Sequence, residues 1–145
     1  MQFNSIKIIT SIILITFLSS CQQTNKEHQS LYDQLGGFAV VEAITVNLID
    51  RLFENKDIGF LFEGSDRQNL VEHISKQICV QTGGHCEYKG RSMQEVHSGL
   101  DIRLSEFDIF VYEFIAAMED IHIPFTQQNQ VLALFAVMRN DVTHQ

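Results

Sequence analysis

The sequence predicts an all-α domain, and three observations carry that prediction. The long apolar patterns recur with helical period, and strand-like alternation is absent apart from short ambiguous runs. Eleven Phe stand against one Pro and no Trp, which suits a helical core better than a loop-rich or Pro-broken one. At 145 residues, 45% hydrophobic and 19% charged, the chain is long enough for one packed domain and too short for two comfortable ones.

The first twenty residues stand apart from that domain. MQFNSIKIITSIILITFLSSC has a weakly basic start (Lys7), an apolar run from Ile8 to Leu18, and small residues before Cys21. The run is short for a membrane span and suits a signal peptide; the alternative is an uncleaved anchor helix ending in an ordinary Cys. LSSC (Leu18, Ser19, Ser20, Cys21) resembles a bacterial lipobox, in which the Cys receives a diacylglycerol and becomes the mature N-terminus. Residues 1–20 therefore read as a lipoprotein signal peptide, 21–29 as the lipidated Cys and a polar tether, and 30–145 as the domain. The formal net charge of −8 lacks the basic footprint of a nucleic-acid binder.

Within the domain a short helix is expected near 30–35, followed by four long ones. Val41, Ile44, Leu48 and Leu52 follow Gly36-Gly37 at i, i+3, i+7 and i+11; Leu70, Ile74 and Ile78 follow at i, i+4 and i+8. Phe107, Phe110, Val111, Phe114, Ile115 and Met118 form a broad stripe, with Ser105 and Asp108 as its capping-box-like start. Val131, Leu134, Phe135 and Met138 mark the last helix, preceded by Pro124 and Thr126. An irregular, Gly-containing link at 82–91 is long for a tight helical domain, and such links are often functional.

Cys79 and Cys86 flank VQTGGH, where Gly83-Gly84 could turn the chain enough to join them. An exported protein permits the bridge, and the spacing equally allows two buried or free thiols. Zinc gains no support, since neither CxxC nor HxxxH spacing occurs. After the link, Ser92 and Glu95 have capping-box spacing, so a brief helix should start there, with Val96 and Leu100 on one apolar face. His97 falls beside that face. Spacing alone leaves it open whether His97 is a surface residue, a hydrogen-bonded core residue or a ligand.

LYDQLGG (31–37), DIGFLFEG (57–64), TGGHCEYKGRSMQEVHSGL (82–100) and MRNDV (138–142) together resemble truncated haemoglobins, closest to the group I type. The resemblance covers roughly 30–142, and YKGRSMQEVHSGL is its most specific part. It implies a two-on-two helical sandwich enclosing b-type haem. His97 then matches the proximal iron ligand, a role that suits an imidazole whose second nitrogen is held by a hydrogen bond. Phe62 matches the aromatic on the haem face, a role compatible with plain core packing. Tyr88, Lys89 and Arg91 match a loop that often contacts haem propionates, where a cation beside a carboxylate is favourable; for Lys89 the alternative is a solvated basic side chain. Val111, Phe114, Ile115, Leu134 and Met138 read as pocket wall and core.

The distal side departs from the family. Ile49 stands where group I proteins commonly place a Tyr, and Leu70 and Ile74 stand at the positions of the Gln partners. His73 matches a position where some relatives carry a His that binds iron as a sixth ligand; the alternative places it in solvent at the pocket mouth. The resemblance implies a haem protein that reversibly binds oxygen, nitric oxide or carbon monoxide. It is expected at the cell envelope, held to a membrane by its lipid. Oxygen transport or nitric oxide detoxification are the expected roles, the latter as a dioxygenase activity that requires a reductase. The alternative is an electron-transfer or redox-sensing protein, using His97 and His73 as two axial ligands and Cys79 with Cys86 as a thiol switch. A third reading is a haem-free helical lipoprotein.

Overall fold

The computed structural model describes residues 29–144; the expected signal peptide, Cys21 and all but the end of the tether lie outside the described residues, as does residue 145. Helix α1 (Leu31–Leu35) begins where the Ser30 hydroxyl accepts the Asp33 N–H at 3.1 Å, and ends at Gly36 in the left-handed conformation, φ 106°. Helix α2 (Phe38–Glu54) buries Val41, Ile44, Leu48 and Leu52 as the spacing predicts, together with Thr45 and Ile49. Asn55 ends it: its side-chain oxygen accepts the Asp57 and Ile58 N–H groups and turns the chain into a 3-10 turn, Gly59–Phe62. Asp66 caps α3 (Arg67–Gln81) by accepting the Asn69 N–H at 2.7 Å.

At the end of α3 the chain folds back on itself. Cys79 and Cys86 are joined in a disulfide, with Cα atoms 6.0 Å apart and a sequence separation of 7. Closing so short a loop stabilises by about 2–3 kcal/mol in the chain-entropy account. The turn needs Gly84: a Cβ there would meet Cys79 Sγ at 2.5 Å and Tyr32 Cδ2 at 2.7 Å. The Tyr32 N–H also donates to the Thr82 carbonyl at 2.9 Å, fastening α1 to this turn.

Helix α4 (Met93–His97) starts at Ser92 with both halves of the expected capping box. It is one turn long, so Leu100 lies beyond it and is exposed. Helix α5 (Leu104–Asp120), capped at Arg103, begins two residues earlier than Ser105 and Asp108 predict. The Glu106 carboxylate reaches back to the Arg103 N–H at 2.8 Å, while Asp108 pairs with Arg139 at 3.2 Å. Helix α6 (Phe125–Ala136) follows Pro124, which places Thr126 inside the helix rather than before it. The last apolar stripe is interrupted: Val137 and Met138 separate α6 from α7 (Arg139–Val142). Exposed Val137 has no core to continue into, and α7 turns onto α4, with Arg139 over the Phe107 ring.

Helix α2 is the centre of the domain, with α3 on one side and α5 on the other. The α2–α5 crossing carries a polar clamp. Glu113 accepts from Arg51 Nε and Asn55 Nδ2, each at 2.8 Å, and Arg51 also reaches Asp120 at 3.0 Å. On the other face of α5, Phe110, Phe114 and Phe135 form a chain of ring contacts that joins α6 to the core. This frame leaves α4, which has no buried residue, at the edge of the core against α7.

Candidate functional site

His97 is the last residue of α4, and its ring is half-buried. Nδ1 lies 2.7 Å from the Met93 carbonyl oxygen, one turn back. A carbonyl only accepts, so Nδ1 donates, and in the neutral ring Nε2 keeps its lone pair. The geometry depends on α4 forming, and so short a helix needs its cap. The Ser92 hydroxyl accepts the Glu95 N–H at 3.2 Å, and the Glu95 carboxylate accepts the Ser92 N–H at 2.9 Å. The Ser92 backbone N–H, then its hydroxyl, hold the Glu95 carboxyl below its ordinary pKa.

One residue ties α4 to α3. The Gln77 amide nitrogen lies 3.3 Å from Met93 Sδ and 3.6 Å from Met138 Sδ, so its partners are weak thioether acceptors. Gln77 stands at i+7 from Leu70 and i+3 from Ile74, so these three share a face of α3, and from it Gln77 reaches Met93 on α4. Sequence reasoning missed Gln77. Its signal was continuation of the Leu70–Ile74 stripe by a polar residue, which by itself looks like a surface position.

The remaining expected site residues divide. Leu70, Ile74 and Phe62 are half-buried beside the core, and Phe62 sits 6.0 Å from the Phe53 ring, centroid to centroid. Ile49 and Phe114 are buried in the core; Val111, Ile115 and Leu134 are half-buried. Met138 touches Gln77. The Tyr88 hydroxyl donates to the Arg91 carbonyl at 3.1 Å, bracing the loop before α4. Lys89 is exposed and pairs with Glu87 at 3.1 Å, and Arg91 is exposed. His73 is exposed on a neighbouring face of α3. It lines a groove of about 410 Å³ with Phe38, Lys76, Cys86, Glu87 and Lys89.

Met93 and Val96 share α4 with His97 and are half-buried, as are Phe62, Leu70 and Ile74 beside the core, and His97 supplies one lone-pair nitrogen. Among the described residues no group of three or more His, Cys, Asp or Glu is placed to hold a bare metal ion. A single imidazole instead matches a metal that arrives with its other ligands in a cofactor. Haem fits that donor set.

The bacterial-like globin family profile matches residues 30–144. Group 1 truncated hemoglobin of Tetrahymena pyriformis is 20% identical over 114 residues, covering 79% of this chain and 94% of that one. Group 1 truncated hemoglobin GlbN of Mycolicibacterium paratuberculosis is 22% identical over 116 residues, covering 80% and 85%. A crystal structure of the T. pyriformis truncated hemoglobin superposes with a TM-score of 0.78 at 20% identity, covering 81% of this chain and all of that one. The 2/2 hemoglobin of Synechococcus superposes at 0.74 with 21% identity, covering 79% and 98%. The solved structures share the two-on-two arrangement of helices seen here, and the family profile spans the whole described domain from Ser30 onward: the chain belongs to the bacterial-like globin family.

Proposed function

We propose that this globin binds b-type haem through His97 and uses it to bind diatomic gases such as oxygen or nitric oxide, at a bacterial envelope to which Cys21 tethers it. The observation that carries the reading is the His97 Nδ1 contact to the Met93 carbonyl, which fixes the ring and leaves Nε2 available to a metal. The Synechococcus relative, crystallised in a cyanomet state with covalently attached heme, supports haem as the cofactor class. Haem iron, when bound, supplies the site at which a gas coordinates.

The chain's own residues set access and polarity. The Ser92–Glu95 box holds α4 so that His97 keeps its direction. Leu70, Ile74 and Phe62 provide apolar surface that excludes water. Ile49, Leu70 and Ile74 carry no hydrogen-bond donor for a gas. His73 belongs to the neighbouring groove, and two-histidine ligation requires its side chain to leave that groove.

Haem titration of the full chain and two variants tests the reading. Wild type and His73→Ala should develop a Soret band and keep it; His97→Ala should fail to hold haem, losing it to an apoglobin acceptor within the dead time of mixing. Equal haem retention and identical spectra in the two variants would remove His97 from the proximal role. A ferrous spectrum that changes from six- to five-coordinate in His73→Ala would instead establish the two-histidine alternative.

A further inference from the structure

The two sulfurs of the disulfide stand in different environments. Cys79 is fully buried in the last turn of α3, close to Gly84. Cys86 is half-buried and lines the groove that also holds His73, Lys76, Glu87 and Lys89. A nucleophile attacks a disulfide along the S–S axis, from the far side of the sulfur it joins. The groove opens at Cys86, whereas Cys79 is covered by protein.

We propose that the Cys79–Cys86 bridge is a thiol-exchange site, at which a low-molecular-weight thiol entering the groove is captured on Cys86, and that opening the bridge loosens the segment presenting His97. The second half rests on the ligand role assigned to His97.

The step balances as an exchange. The incoming thiolate forms a new S–S bond to Cys86 Sγ; the electron pair of the old bond leaves with Cys79 Sγ, which then takes a proton. A second equivalent of the same thiol resolves the adduct, giving its disulfide and the reduced Cys79–Cys86 pair, a two-electron reduction. Lys76 and Lys89 flank the entry. Each is paired with a carboxylate, Glu72 at 2.6 Å and Glu87 at 3.1 Å, but an ammonium has three donors and can serve a thiolate as well. The released Cys79 thiol stays beside Cys86 in the last turn of α3 and can attack the adduct to re-close the bridge, so the adduct is captured by a rapid quench.

The bridge bears on His97 through the chain. Residues 82–92 run from the end of α3 to the Ser92 cap of α4. Beyond Cys86, the Glu87–Lys89 and Tyr88–Arg91 contacts lie within the segment itself. The disulfide is its covalent fastening to α3.

The test uses the full chain carrying Cys21→Ser, in which Cys79 and Cys86 are the remaining cysteines. After brief exposure to reduced glutathione and an acid quench, peptide fragmentation locates the adduct. Occupancy of Cys86 over Cys79 by about tenfold or more is expected, and Lys76→Gln with Lys89→Gln should slow capture several-fold. Equal labelling, preference for Cys79, or no adduct under prolonged glutathione overturns the exchange site. Amide hydrogen exchange of the reduced chain then reads the coupling: peptides spanning 84–97 should exchange about tenfold faster than in the oxidised chain, with α2 unchanged. Unchanged exchange there overturns the coupling. Neither readout needs haem, so their failure is distinct from failure of the haem-binding reading, which the Soret titration detects.

Discussion

On the proposed haem-binding reading, Ile49 is the residue at which the polarity of the gas pocket is decided. It is fully buried on α2, in the position where group I relatives commonly offer a phenol, and its side chain has nothing to donate. A hydrogen bond to a gas that carries partial negative charge is worth about 0.5–1.5 kcal/mol, and more when charge-assisted. Each 1.4 kcal/mol is roughly tenfold in an equilibrium. Ile49→Tyr should therefore slow oxygen dissociation about tenfold in stopped-flow measurements, at a cost of about 1–3 kcal/mol in stability from overpacking. A folded, haem-loaded Ile49→Tyr with an unchanged off-rate would mean that position 49 does not face the ligand. The residue scale is also where legibility was most uneven. The Ser92 and Glu95 spacing announced α4 in advance, because a capping box is a local pattern. Gln77 was invisible, because its burial depends on Met93 and Met138, 16 and 61 residues away. His97 lies between these cases: its helix is readable, but the role proposed for it rests on the longer resemblance.

Elements follow the same division between local and distant causes. The stripe on α2 was read correctly because burial on one face leaves a 3.6-residue period in the sequence. The start of α5 was misplaced, because Ser105/Asp108 and Arg103/Glu106 offer the same spacing two residues apart. Arg139, which arrives from α7, takes Asp108 and leaves Glu106 to close the helix. The break between α6 and α7 had no sequence signal, since Val137 fits an apolar stripe that has nothing left to cover. Glu106 gives α5 a testable pH signature. The Arg103 guanidinium first, and the Arg103 backbone N–H second, hold its carboxyl below its ordinary value of 4.5. The folded chain thus keeps Glu106 ionised to lower pH than the unfolded chain does. Its contribution is complete above the ordinary value and is lost as pH falls through the lowered, folded-state one. Glu106→Gln should lower the thermal midpoint at neutral pH, and the two proteins should converge as pH falls from the ordinary carboxylate value through the lowered one. A gap between them that stays constant across that window would assign the loss to packing rather than charge.

At the scale of the whole molecule, a globin that starts at Ser30 follows a segment that reads as a lipoprotein leader. The two parts make separable claims. Residues 21–29 span at most about 30 Å when fully extended, so lipidation at Cys21 would keep the domain close to a bilayer surface. The formal net charge is −8, and among the described residues no helix is long and apolar enough to cross a membrane. A diacylated Cys adds two long chains of buried methylenes, each methylene contributing about 0.8 kcal/mol. Cys21→Ser should consequently abolish fatty-acid labelling and move the protein out of the membrane fraction or stall its processing, while leaving the haem spectrum unchanged. Wild type that stays unlabelled in a host with working lipoprotein machinery would show that LSSC is not a lipobox. Loss of the haem spectrum in Cys21→Ser would show that the leader and the globin are not independent, since Cys21 lies nine residues before the cap of α1.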